Sequence, residues 1–188
     1  MKKLHIHDKL IEKCKKGSSN AQFEIYKLYY KGMYNVSLRI VRNTDEAEDI
    51  MQEAFLSAFN KINTWSQEVT FGAWLKRIVV NKSLDYLKKR KLEISAIDDK
   101  DIVEESDYNE PTESVNMKVE LVKKVVDKLP EKYRIITLMF LFEGFTHIEI
   151  GELLEIKPET SRIRFMRAKE MIQKSPGLKS KIHDVILN

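Results

Sequence analysis

Along most of this chain apolar residues recur every three or four positions, the spacing that lines one face of an α-helix. Leu4, Leu10, Ile11 and Cys14 outline a short first helix within residues 1–17. The run Lys16-Gly17-Ser18-Ser19-Asn20 stops it and offers Ser18, Ser19 or Asn20 as N-cap for a second helix, from about Ala21 to Val41. Asn43-Thr44-Asp45-Glu46 is a further start: Asn43 can cap, Glu46 follows three residues on, and acids fill the first turn. From there to about Ile62, the residues Ile50, Met51, Ala54, Phe55, Ala58, Phe59 and Ile62 share one face. Asp45, Glu46, Asp49, Gln52 and Glu53 share the opposite one. A fourth helix spans Phe71 to Lys91, with Phe71, Trp74 and Leu75, Ile78 and Val79, and Tyr86 along one side.

The pattern breaks from Glu93 to Ser114, where apolar residues are few, acids are many and Pro111 intervenes, so this stretch reads as a linker. It resumes near Val115 with a helix that runs to about Lys128 and ends at Leu129-Pro130. The next helix starts at Pro130-Glu131, proline being tolerated early in a helix, and carries Tyr133, Ile135, Ile136 and Leu138 to Phe142. Apolar nearly all round, it is expected at the buried centre of its domain, closed by Gly144 as a left-handed C-cap. Thr146 and Glu149 make a capping box for a short helix whose apolar side is Ile148, Ile150, Leu153 and Leu154. Glu155-Ile156-Lys157 is a brief turn, Pro158 opens another helix, and a short tail helix follows Pro176-Gly177. Two short helices about such a turn have the outline of a helix-turn-helix. The fold class predicted is all-α. Two small helical domains, residues 1–92 and 115–188, are joined by an acidic linker at 93–114, and the second contains the helix-turn-helix.

Charge sharpens this picture because it is segregated. The formal total is only +4 over 188 residues. Lys76 to Lys91 nevertheless holds seven bases and one acid, and Glu93 to Glu113 nine acids and one base. Lys157 to Lys174 adds six bases against two acids. The basic blocks suit a polyanion and the acidic block would avoid one.

Candidate chemistry follows. In the fourth helix, aromatics at one end and Lys88, Lys89, Arg90 and Lys91 at the other suit a nucleic-acid strand: aromatic faces stack on unpaired bases and cations track phosphates. A core helix with a solvated charged end has the same composition. The acidic face at Asp45 to Glu53 is either a solvated surface or a docking surface for a basic partner helix. Trp65, in the polar connection Asn63 to Thr70, either folds back on its domain or presents a stacking face. In the last helix, Ser161, Phe165, Ala168 and Ile172 form an inward stripe, and Glu159, Arg162, Ile163, Met166, Arg167 and Glu170 point away from it. Arg162 and Arg167 there suit guanine edges or phosphates, and Ile163 and Met166 suit thymine methyls in a major groove.

The spacing Phe71, Trp74, Leu75, Ile78, Asn81, Asp85, followed by the basic run, resembles the promoter-melting helix of bacterial RNA polymerase sigma factors, above all the short, two-domain extracytoplasmic-function class. Asp45, Asp49, Gln52, Glu53 and Phe55 resemble the helix with which sigma factors grip the clamp helices of the polymerase's largest subunit. In the family, the loop corresponding to Asn63–Thr70 captures a base flipped from the non-template strand, an extrusion whose cost a pocket must recover. The family's linker threads the basic RNA exit path. The run Glu159 to Ala168 resembles the recognition-helix motif Gly-Thr-Val-Lys-Ser-Arg-Leu-x-Arg-Ala. It departs from it at Glu159, at Ser161, where the family usually has an apolar residue, and at Ile163, usually small. The resemblance implies polymerase contacts at Asp45, Asp49, Gln52, Glu53 and Phe55. It implies DNA contacts at Trp65, Trp74, Arg77, Asn81, Lys88, Arg90 and Lys91, and in the second domain at Thr160, Arg162, Ile163, Arg164, Met166 and Arg167. The implied partners are core RNA polymerase, promoter DNA and the anti-sigma factor that commonly holds family members inactive.

Two other function classes fit the sequence less well. A stand-alone helix-turn-helix regulator needs a dimer surface to span two half-sites, and no heptad seam or ligand-domain signature is present. An enzyme needs a nucleophile–base pair, a metal-ligand cluster or a phosphate-cradling glycine loop, and none is seen. His5, His7, His147 and His183 are scattered, and His5-x-His7 lacks further ligands nearby, so no metal or cofactor is expected. The one cysteine, Cys14, excludes an internal disulfide; its lysine neighbours would lower its pKa, while a plain helix position would leave it inert. No apolar run approaches the ~18 residues of a membrane span and no apolar signal core opens the chain, so a soluble cytoplasmic protein is expected.

Overall fold

The computed structural model describes residues 7–95 and 117–174. Leu4 and His5, the expected linker beyond Ser95, and the tail helix with His183 lie outside the described residues. The chain divides into two compact units, Met1–Tyr108 and Asn109–Asn188.

The first unit contains α1 (Asp8–Lys15), α2 (Ser19–Val41), α3 (Thr44–Asn60), a 3-10 turn at Ile62–Thr64 and α4 (Phe71–Ser95). α2, α3 and α4 pack on one another, and α1 packs on α2. The caps are those the sequence offers: Ser18 Oγ accepts from the Ala21 amide at 3.4 Å and Asn43 Oδ1 from that of Glu46 at 3.0 Å. Ile25, Leu38, Ile40, Ala47, Ala54 and Leu75 lie in the core, and of the predicted α3 face Ile50, Met51, Ala54, Phe55, Ala58 and Ile62 are buried while Phe59 is half-buried. Two hydroxyls meet inside it. Ser83 Oγ lies 3.1 Å from Ser37 Oγ and 2.9 Å from the Val79 carbonyl, so α2 and α4 satisfy each other's buried polar groups.

α4 differs from expectation in two ways. It continues to Ser95, three residues into the expected linker. Its buried row is Phe71, Leu75, Val79, Val80, Ser83 and Leu84, whereas Trp74, Ile78 and Tyr86 flank it half-buried. The reason is that α4 faces both α2 and α3, which selects the residues spaced by four over those spaced by three.

The second unit contains α5 (Met117–Val126), α6 (Glu131–Thr137), a π-helical turn continuing it (Leu138–Phe142), α7 (His147–Leu154) and α8 (Pro158–Lys174). Val122, Val126, Leu129, Tyr133, Leu138, Ala168 and Ile172 form its core. The π turn is closed by the Glu143 amide on the Leu138 carbonyl at 3.1 Å, a span of five residues. It is less deeply sunk than its composition predicted: Phe140 and Phe142 are half-buried and Leu141 is exposed, because widening the turn fans these side chains over a broader arc. Gly144 takes the left-handed conformation expected of it, at φ +75°. Thr146 and Glu149 form the predicted capping box, and Glu155 closes α7 in the left-handed region at φ 55°.

Candidate nucleic-acid and polymerase interfaces

On α8 the two stripes are those read from the sequence. Ser161, Phe165, Ala168 and Ile172 are buried, and Glu159, Arg162, Ile163, Met166, Arg167 and Glu170 are exposed. Ile163 and Met166 stand 54% and 56% exposed, an unfavourable position for two apolar side chains unless something covers them. Arg162 Nη1 is 3.7 Å from Glu159 Oε1, a loose surface pair that holds the guanidinium on the outer face. Thr160 and Arg164 sit half-buried at the flanks. Ile148 is placed otherwise than predicted. It is 58% exposed, because α7 buries Ile150, Gly151 and Leu153, and a residue two positions from Ile150 falls on the far side of the helix.

Gly151 went unremarked in the sequence and matters here. A Cβ built on it would lie 2.8 Å from the Ile156 carbonyl oxygen, while the Ile156 amide donates to the Gly151 carbonyl at 2.9 Å. The turn between α7 and α8 therefore closes directly against the Gly151 backbone. No periodicity reports such an approach.

On α4, Trp74, Arg77, Asn81, Asp85 and Lys88 follow one another at three- and four-residue steps and form one outward stripe, exposed except for the half-buried indole. Trp74 leans on Phe71, ring centroids 5.5 Å apart. Lys91 is exposed to one side of this stripe. Arg90 is half-buried round the back of the helix and is not brought to it. Lys82 Nζ, by contrast, reaches α3 and pairs with Glu53 Oε2 at 2.9 Å.

Trp65 is not at the surface. It is 3% exposed, its Nε1 donates to the Val69 carbonyl at 3.0 Å, and its ring meets Phe71 edge-on at 5.6 Å. The indole closes the floor of the Asn63–Thr70 loop, so its expected role as a DNA contact is corrected to a core role. All members of that loop but Trp65 and the half-buried Gln67 are exposed, and Gln67 holds a left-handed φ of 64°.

On α3, Asp45, Asp49, Gln52 and Glu53 are exposed along one face, and Glu46, predicted with them, is half-buried. Phe55 is not with them. At 2% exposure it packs edge-on to Tyr26 at 4.9 Å, so it supports the helix from behind and cannot itself touch a partner. Leu56, 65% exposed, does lie on the acidic stripe, three residues after Glu53 and seven after Asp49. That spacing was available in the sequence. Asp45 and Glu48 also face Tyr34, whose phenol is pushed up by burial first and by those carboxylates next. Burial raises the Cys14 thiol too, so the neighbouring lysines do not activate it. Among the described residues, no group of three His, Cys, Asp or Glu side chains is placed to hold a metal.

Two helical units, each with cations on an outward stripe and one with a helix-turn-helix, have the build of a DNA-binding protein. Residues 25–93 match the family Sigma-70 region 2, and residues 120–172 match Sigma-70, region 4. The ECF RNA polymerase sigma factor SigW of Bacillus subtilis (strain 168) is 31% identical over 177 residues, covering 88% of this chain and 94% of SigW. The RNA polymerase sigma-H factor of Pseudomonas aeruginosa is 27% identical over 179 residues, covering 88% of this chain and 91% of that protein. The fold is similar to that of the sigma factor RpoE in complex with the anti-sigma factor NepR from Bartonella quintana, with a TM-score of 0.59 at 20% identity over 80% of this chain and 92% of that one. It is also similar to CnrH in complex with the cytosolic domain of CnrY, with a TM-score of 0.53 at 16% identity over 87% of this chain and 92% of that one. The chain belongs to the extracytoplasmic-function (ECF) RNA polymerase sigma factors. It directs promoter-specific transcription initiation, and a stand-alone helix-turn-helix regulator is not favoured.

Proposed function

We propose that the work of initiation is divided between residues 1–92 and 115–188. In the first, Asp45, Asp49, Gln52 and Glu53 of α3, with Leu56, dock on the clamp helices of the polymerase's largest subunit. Trp74, Arg77, Asn81, Lys88 and Lys91 of α4 engage and help open the downstream promoter element. In the second, Arg162, Ile163, Met166 and Arg167 read the upstream element in the major groove, flanked by Thr160 and Arg164. The single observation that carries this reading is the α8 face: two cations and two apolar side chains exposed together, opposite a fully buried stripe. Residues 93–114 connect the two parts and, being acidic, stay off the nucleic acid.

The protein acts by binding and positioning, with no chemistry of its own, in the cytoplasm with the polymerase. No described helix is long and apolar enough to cross a membrane. An anti-sigma factor is proposed as a regulatory partner, supported by the sigma factor RpoE of similar fold, whose structure is a complex with the anti-sigma factor NepR. The test is co-elution with bacterial core RNA polymerase followed by run-off transcription from a genomic promoter library. Promoter-dependent transcripts are expected. Duplex binding with no polymerase association would refute the α3 assignment and leave its acidic face a solvated surface.

A further inference from the structure

The position where α8 departs from the family pattern toward a polar residue is also where α7 reaches it. Ser161 is fully buried on the inner face of α8, and its Oγ lies 2.9 Å from His147 Nδ1, the first residue of α7. The imidazole is stacked on Phe140 of the π turn, centroids 4.5 Å apart and planes 11° apart. Phe165, one turn after Ser161 on the same face, completes the cluster at 4.6 Å from Phe140 and 5.8 Å from His147. A hydroxyl buried in an otherwise apolar stripe is costly unless bonded, and a hydrogen bond fixes direction as an apolar contact does not. Three elements thus meet at one ring, and the bond sets how α8 is rotated about its own axis.

We infer that His147 is a positioning residue for upstream-element recognition: through its bond to Ser161 it fixes which α8 side chains face the bases, and it does so as the neutral imidazole. The inference rests on α8 being the recognition helix.

The charged surroundings favour the neutral ring. Burial first, and then the Arg162 guanidinium on α8, hold the imidazole below its usual pKa. Its place in the first turn of α7, at the positive end of the helix dipole, acts in the same direction. The π turn contributes no ionisable side chain. On α7 itself Glu149 is occupied by Thr146, accepting from its amide and hydroxyl at 2.8 Å each, and Glu143, before α7, is buried. Stacking on Phe140 favours a cation and opposes the effects of burial and Arg162. Because the folded-state pKa is depressed, the contribution of this ring is complete above the unfolded value of about 6.5 and is lost as pH falls through the folded value.

The test uses the full chain bound to core polymerase and a duplex chosen by that wild-type holoenzyme from a random-sequence library. Its competitors carry single base-pair changes in the upstream element. The readout is the affinity ratio between cognate and changed duplex, from which the shared phosphate attraction cancels. At about pH 7.5, S161A and H147F are each expected to lower the ratio about fivefold, the worth of one directional hydrogen bond, and the double variant no further. H147Q, which keeps a hydrogen-bonding group, should recover part of the loss. Protonation removes Nδ1 as acceptor for the Ser161 hydroxyl, so as pH is lowered from about 7.5 through the depressed folded value of His147, followed in the same samples, the wild-type ratio should fall toward that of H147F, while that of H147F stays flat. An unchanged ratio in S161A together with a flat wild-type pH profile overturns the inference. The profile needs no substitution, so it decides even where a variant fails to fold. If R162A with R167A leaves the ratio unchanged, the recognition-helix reading has failed instead.

Discussion

Trp65 separates a core from a DNA contact, and Trp65→Ala reads out which it is. The indole is 3% exposed, bonded through Nε1 to Val69 and set edge-on against Phe71. Lys15 of α1 lies over its face, Nζ 5.6 Å from the ring centroid, so the side chain also ties α1 to the loop. Truncating a buried Trp costs about 3–5 kcal/mol, including the cavity left behind. Within that, the indole hydrogen bond accounts for about 1 kcal/mol and the ring pair for about 0.5–1.5 kcal/mol. At about 4–8 °C per kcal/mol for a unit of this size, Trp65→Ala should lower the melting point of the first unit by on the order of 20 °C. Trp65→Phe keeps a ring and should lose about a third of that. The chain has two tryptophans, Trp65 and Trp74, both in the first unit, so fluorescence in a urea titration reports that unit alone, and Trp74 remains as reporter in both variants. If Trp65→Ala kept the wild-type urea midpoint yet abolished promoter opening, the core role argued here would be wrong.

Four further outcomes rest on the same geometry. Asp49→Lys with Glu53→Lys should weaken core polymerase binding at least tenfold in a co-elution titration while the melting point moves by less than about 1 kcal/mol equivalent, both positions being exposed; Phe55→Ala should instead unfold the unit, at a cost of about 3–5 kcal/mol. Ile163→Ser with Met166→Ser should change which promoters are selected from a library without loss of thermal stability; an unchanged selection refutes their contact with bases. Gly151→Ala gains about 1 kcal/mol in helix propensity but sets a methyl 2.8 Å from a backbone oxygen, an overpacking worth about 1–3 kcal/mol, so hydrogen exchange at the α7–α8 turn should quicken.

The helices and their faces were legible because burial repeats with the helix period, and α3 and α8 sort their residues accordingly. The caps at Ser18, Asn43 and Thr146 were legible because their chemistry is local. What escaped depends on contacts between elements. Trp65 is buried because α4 begins with Phe71 beside it, and a one-dimensional pattern does not show that the loop returns there. Phe55 sits in both the acidic motif and the apolar face, and only Tyr26 across from it decides between them. The role of His147 depends on Ser161, fourteen residues on, lying at its Nδ1, a contact that no local pattern shows. Ile148 and Arg90 were assigned by neighbourhood in sequence, and the 3.6-residue turn carries each to the other side of its helix.

The π turn at Leu138–Phe142 amounts to one residue inserted into a continuous helix. Everything after it is phased by that insertion. Deleting one residue between 138 and 142 should restore an ordinary α-helix and rotate the residues after the deletion by about 100° relative to those before it. The Phe140 ring would then leave His147, and the downstream helix pair would enter at a different angle. A frame-preserving three-base deletion here, outside every residue that touches DNA or polymerase, should therefore be as damaging to promoter selection as a substitution on the recognition helix.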